Sequence, residues 1–144
     1  MASITLKDLA ETMRDIDFAM LSTRTENGAV ASRPMSNNRD VDFSGDCFFF
    51  SYDSARTIAD IGRDPQVGLT FTGRSGFLGG PPVFIAVAGT AELIRDKNAF
   101  RAHWTKDLDR WFADGVDTPG LVLIRVHADR VHAWNGADQT EIEL

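Results

Sequence analysis

The 144-residue sequence has a single cysteine, Cys47, which excludes an internal disulfide. It has only three histidines, at positions 103, 127 and 132, and with one thiol they do not give the ligand spacing of a zinc site. No apolar run reaches the roughly 18 residues that a membrane-spanning helix needs. The opening segment MASITLKDLAETMRD lacks the order of a secretory leader. These absences point to a cytoplasmic protein. Positive charge is also in the minority, with 15 Lys and Arg against 21 Asp and Glu and a net charge of −6. The arginines are scattered rather than clustered, which argues against a nucleic-acid partner. A small phosphorylated ligand needs only two or three basic groups and stays open.

What is present suits a globular fold. Hydrophobic residues make up 43% and charged residues 25%, near globular averages and far from disorder. The length fits one domain, residues 1–144, without linker, repeat or low-complexity segment. Leu6, Leu9, Ala10, Met13 and Ile16 follow helical spacing, and Thr5 with Asp8 forms a capping-box pattern. FAMLSTR and AVASRPMSNN read as two strands of a hairpin around Asn27-Gly28. CFFFSY is a third strand, in which Cys47 reads as a packed thiol; Phe48 and Phe50 face one way and Phe49 the other. SARTIADIGRD reads as a short helix ending at Asp64-Pro65. Further strands follow in QVGLTFTG, in VFIAVAGTAELI with Gly89 as a bulge, and in LVLIRVHADRVHAWNG. KNAFRAHW and DLDRWFADG read as two short helices. About six strands joined by tight turns give a mainly β fold with peripheral helices, an antiparallel six-stranded small barrel.

Two stretches carry candidate chemistry. At the second helix, Ser54 or Asp53 reads as the cap, which places Arg56 and Thr57 in the first turn. A helix N-terminus offers free N–H groups and the positive end of the dipole to a phosphate. Ser51 at the end of the third strand adds a hydroxyl, and Arg33, read as lying on the neighbouring strand of one meander, adds a second guanidinium. Asp53 must then be turned away from the anion. The plainer alternative leaves Arg56 a solvated helix residue and Arg33 a surface strand residue. In RPMSN, Pro34 cannot donate to a central ladder, so this strand reads as an edge with backbone groups free for the polar rim of a heterocycle. Met35 suits contact with an aromatic ring.

The segments AMLSTRTENGAVASRPM, CFFFSYDSARTIADIGRDPQVGLTF, VFIAVAGTAEL and VHAWNG, in that order, resemble the FMN-binding split barrels related to pyridoxamine 5′-phosphate oxidase, in particular their general stress protein 26 branch. The resemblance runs from about Ile4 to Gly136. It implies a six-stranded split barrel, a homodimer, and FMN (FAD also conceivable) in a cleft between subunits. It assigns Arg33 to the flavin phosphate and Pro34, Met35 and Ser36 to the strand along the ring. Phe50 and Ser51 match the residues ending the third strand. Ser54, Arg56 and Thr57 match a Ser-x-Lys pattern in which arginine replaces lysine. Trp134 matches a tryptophan that reaches the flavin from the partner subunit. The tail NGADQTEIEL departs from true pyridoxamine phosphate oxidases, which carry Arg and His there, so vitamin B6 oxidation is not expected. The Gly-rich loop Arg74–Pro82 is read either as a rim of the site or as a flexible turn. The expected function is a low-specificity FMN-dependent oxidoreductase whose catalytic residues and substrate the sequence does not name. The alternatives are a non-enzymatic flavin sensor or carrier, or a split barrel that binds deazaflavin F420 or haem.

Overall fold

The computed structural model describes residues 4–37, 43–73 and 82–144. Helix α1 (Leu6–Arg14) opens on the expected capping box. The Asp8 amide donates to Thr5 Oγ1 at 3.2 Å, and the Thr5 amide donates to the Asp8 carboxylate at 2.9 Å. Leu9 and Met13 form its buried stripe. Strands β1 (Phe18–Arg24) and β2 (Val30–Ser36) form the expected hairpin, with Gly28 at φ 81° in the turn. Then follow β3 (Asp46–Tyr52), α2 (Arg56–Arg63), β4 (Gln66–Thr72), β5 (Val83–Ile94), α3 (Lys97–His103), β6 (Leu121–Asn135) and β7 (Asp138–Glu143).

All pairings are antiparallel, in the order β2-β1-β4-β5-β6-β3, with β7 also on β6. This differs from a simple meander. β2 and β3 are consecutive in sequence, yet they do not pair; each lies at one end of the order. Arg33 is therefore not on a strand that neighbours β3. Pro34, which lacks a backbone donor, sits on the edge strand β2, as its chemistry requires. The fifteen-residue β6 serves three partners. One of its edges follows β5; the other pairs first with β3, along Leu121–His127, and then with β7, along Arg130–Asn135. β7 adds a seventh strand to the six anticipated.

The bulge expected at Gly89 is present: Ala88 pairs with Arg130 but Gly89 pairs with Ala128, leaving Asp129 as the extra residue. The segment DLDRWFADG is not a second α-helix. It forms 3₁₀ turns at Lys106–Arg110 and Gly115–Asp117, the tighter winding common in short connectors.

Strand alternation divides the core in two. Phe49, Val122 and Ile124 join the main core with Leu21, Leu69, Phe71 and Ile85. Phe50, Leu121 and Leu123 face the other way, into a second cluster with Phe100, Leu108 and Phe112. The apolar run LVLI at the start of β6 is thus buried on both faces, because α3 and the 3₁₀ turns cover the outer side.

Candidate functional site

The two end strands of the sheet frame a cavity of about 300 Å³. Pro34, Met35 and Ser36 supply its β2 side, and Phe50, Ser51 and Tyr52 its β3 side. Leu108, Trp111 and Phe112 close it from the 3₁₀ segment, and Phe18 from β1. None of these ten residues carries a formal charge at neutral pH. The size and apolar lining match a pocket for a small organic ligand, which typically spans about 300–1,000 Å³. Among the described residues β2 pairs only with β1, so its outer edge keeps backbone polar groups for a ligand at this rim.

Five of the ten sequence-predicted residues meet here: Pro34, Met35, Ser36, Phe50 and Ser51. Phe50 is the pivot between pocket and core. It is buried and makes edge-on ring contacts with Phe100, Trp104 and Phe112 at 5.8, 4.9 and 6.5 Å. Trp104 is held in turn by a hydrogen bond from Nε1 to Asp109 at 2.9 Å. Trp111 remains half exposed and meets Phe18 edge-on at 6.2 Å.

The other predicted residues do not line this cavity. Arg56 is the exposed first residue of α2, Thr57 is buried behind it, and Ser54 is exposed in the preceding turn. The helix cap is Ala55, not Ser54 or Asp53. The reason is local: the Ala55 amide closes a turn onto the Tyr52 carbonyl at 2.9 Å, and Arg95 takes the Asp53 carboxylate at 2.7 Å. Thus α2 starts with no side-chain cap and no acidic residue in its first turn. Arg33 is only part-buried, and its guanidinium is turned toward β1 and α2. Its Nη1 donates to Thr23 Oγ1 at 2.8 Å and to the Leu21 carbonyl at 3.3 Å, and its Nη2 lies 3.6 Å from the Asp60 carboxylate. Asp60 and Thr23 escaped the sequence reading. The available signal was an acidic residue falling among Thr57, Ile58 and Ile61 on the buried arc of α2.

Trp134 lies on β6 opposite Phe84 and stacks on His132 at 3.9 Å. No histidine lines the cavity. His103 stacks on Phe48 at 3.7 Å; burial above all, then the charge of Arg125, push its pKa below the ordinary imidazole value. His127 binds Asp46 at 2.8 Å, and His132 meets Gln139 and Glu141. Burial works to raise the Asp46 carboxyl, but hydrogen bonds from His127 and from Arg125 outweigh it and hold the pKa below the usual value. Cys47 is packed, and burial pushes its thiol up to about 12, so it is no nucleophile. Among the described residues no group of three or more His, Cys, Asp or Glu is placed to hold a metal ion. None of their helices is long and apolar enough to cross a membrane. Residues 74–81 of the Gly-rich loop lie outside the described residues.

The sequence model for proteins described as pyridoxamine 5′-phosphate oxidase like matches residues 5–143. The chain belongs to the pyridoxamine 5′-phosphate oxidase-like family. Its relatives include protein bli-3 of Neurospora crassa, 24% identical over 136 residues, and general stress protein 26 of Bacillus subtilis, 30% identical over 61 residues. These matches span 88% and 42% of this chain, and 63% and 43% of the relatives, so less than two thirds of either curated protein. Among solved structures, a Clostridium acetobutylicum protein related to general stress protein 26 superposes with a TM-score of 0.82 at 17% identity, covering 96% of this chain and 94% of that one. A haem-binding protein of Mycobacterium smegmatis shares the fold at a TM-score of 0.77 and 15% identity, covering 99% of this chain and 60% of that one. The fold is thus shared with a protein described as binding haem.

Proposed function

We propose that this member of the family is an FMN-binding flavoprotein, a low-specificity oxidoreductase without true pyridoxamine phosphate oxidase activity. The observation that carries the reading is the uncharged, aromatic-walled cavity at the β2–β3 rim, where Pro34, Met35, Ser36, Phe50 and Ser51 converge. Its residues fit a flat heterocycle: Met35 and the aromatic walls offer apolar contact, and the β2 edge offers backbone groups to ring carbonyls and nitrogens. The phosphate falls to Arg33 together with Ser54, Arg56 and Thr57 at the uncapped start of α2. Bound FMN supplies the electron-transfer chemistry, while the protein binds it, orients it and limits water at the ring.

The outer sheet face favours a homodimer. Phe18, Met20 and Phe84 are 50%, 40% and 47% exposed, and Trp134 stands in register beside Phe84. Such exposed apolar residues on one face suit a second copy. Phe18 belongs both to this face and to the cavity wall, which favours a cleft completed by the partner and a role there for Trp134. Flavin is preferred over haem because no histidine, the usual axial ligand of haem iron, lines the cavity. The acidic β7, with Glu141 and Glu143, is a poor neighbour for a phosphorylated vitamin substrate.

The test is to load the protein with FMN and add NADH or NADPH without oxygen. Bleaching of the flavin absorption at a useful rate supports the oxidoreductase. A bound flavin that stays oxidised with either donor contradicts a nicotinamide-dependent oxidoreductase and leaves a carrier, a sensor or an enzyme with a different donor.

A further inference from the structure

Asp60 is 5% exposed and ion-paired to Arg33 and Arg63, and a buried ion pair often adds little net stability. Thr23 Oγ1 donates to its Oδ2 at 2.8 Å and Arg63 Nη2 to its Oδ1 at 3.1 Å, while Arg33 Nη2 approaches to 3.6 Å. The Thr23 hydroxyl also accepts from Arg33 Nη1 at 2.8 Å, so a chain of contacts runs from α2 through β1 to β2. Two guanidiniums around one carboxylate leave this cluster with a net positive charge. The Arg33 side chain is 22% exposed, so it is fixed but not sealed. A guanidinium has five N–H donors, more than these contacts consume.

Arginine loses much rotamer freedom when it is ordered, and a ligand that must order it binds more weakly for that reason. Here the ordering is done beforehand by the Asp60–Thr23 pair. We propose that Asp60 is a positioning residue: it holds Arg33 in the orientation that meets a ligand's phosphate, and so sets the preference for a phosphorylated flavin over an unphosphorylated one. This rests on the reading that Arg33 faces the flavin phosphate.

The experiment compares FMN with riboflavin, which lacks the phosphate, as ligands of the full-length protein and of Asp60→Asn and Arg33→Ala. The expected result is an FMN affinity about tenfold weaker in Asp60→Asn, in line with the loss of one charged hydrogen bond, with riboflavin affinity unchanged. Arg33→Ala should lose the FMN preference at least as fully, and adding Asp60→Asn to it should change nothing more. An equal loss for both ligands in Asp60→Asn means a purely structural role and overturns the proposal. So does an unchanged or tighter FMN affinity. If Arg33→Ala keeps the full FMN preference, the phosphate assignment itself falls and takes the proposal with it. Should Asp60→Asn not fold, Thr23→Val removes the hydroxyl between the two groups and is expected to show the same selective loss.

Discussion

Phe50 and Trp104 meet edge-on, with ring centroids 4.9 Å apart and planes at 64°. The contact ties the pocket wall to the second core cluster, because Phe50 lines the cavity while Trp104 packs beneath it. Phe50→Ala would remove a buried ring with three aromatic neighbours. The expected cost is about 3–5 kcal/mol of folding stability, read as a lower urea midpoint. Phe50→Leu should lose much less. Equal, small losses for both would mean that the ring is not the pivot described.

Gly89 and His127 make a second close relationship. A Cβ added at Gly89 would collide with the His127 carbonyl oxygen and stand 3.1 Å from its carbon. Both are backbone atoms in the bulge, so neither yields cheaply. Gly89→Ala should destabilise by about 1–3 kcal/mol through overpacking. Gly62, in α2, has nothing within 4 Å of such a Cβ, and Gly62→Ala should be neutral or gain up to about 1 kcal/mol. Paired thermal or urea denaturation of the two variants checks this contrast.

Much of the architecture was legible locally. Thr5 and Asp8 announced α1, Asn27-Gly28 the first hairpin, and Pro34 an edge strand. Each signal acts over a few residues. The separation of β2 from β3 was not legible, because strand order is decided by long-range packing and no local residue encodes it. β7 was missed for a different reason. Asp138–Glu143 is acidic and mostly exposed, and it is held by pairing with β6, with Ile142 as its one apolar contact to the main core. At the site, the cavity-lining Pro34, Met35 and Ser51 were legible from their types, and Ser36 and Phe50 from the family resemblance. The engagement of Arg33 by Thr23 and Asp60 was not, since it joins residues up to 37 positions apart.

The Asp46 cluster predicts a pH dependence. Burial raises the Asp46 carboxyl, but His127 and Arg125 lower it more, so its folded pKa lies below the unfolded one. A depressed carboxyl contributes stability above its unfolded pKa, near 4, and that stability is lost as pH falls through the folded value. Asp46→Asn should therefore be less stable than the parent at pH 6 and lose stability less steeply below about pH 4. Urea midpoints between about pH 3 and 6 give the comparison; parallel curves would remove Asp46 from the account.

The central claim is that the β2–β3 rim holds a flavin. Its most direct test is a titration of flavin-free protein into FMN, followed by the flavin's visible absorption and fluorescence. The account predicts a saturable change that ends at one FMN per chain and is weakened when Met35→Glu places a charge in the cavity. An FMN spectrum that does not change at any protein concentration, or a saturable change that Met35→Glu leaves intact, would contradict it.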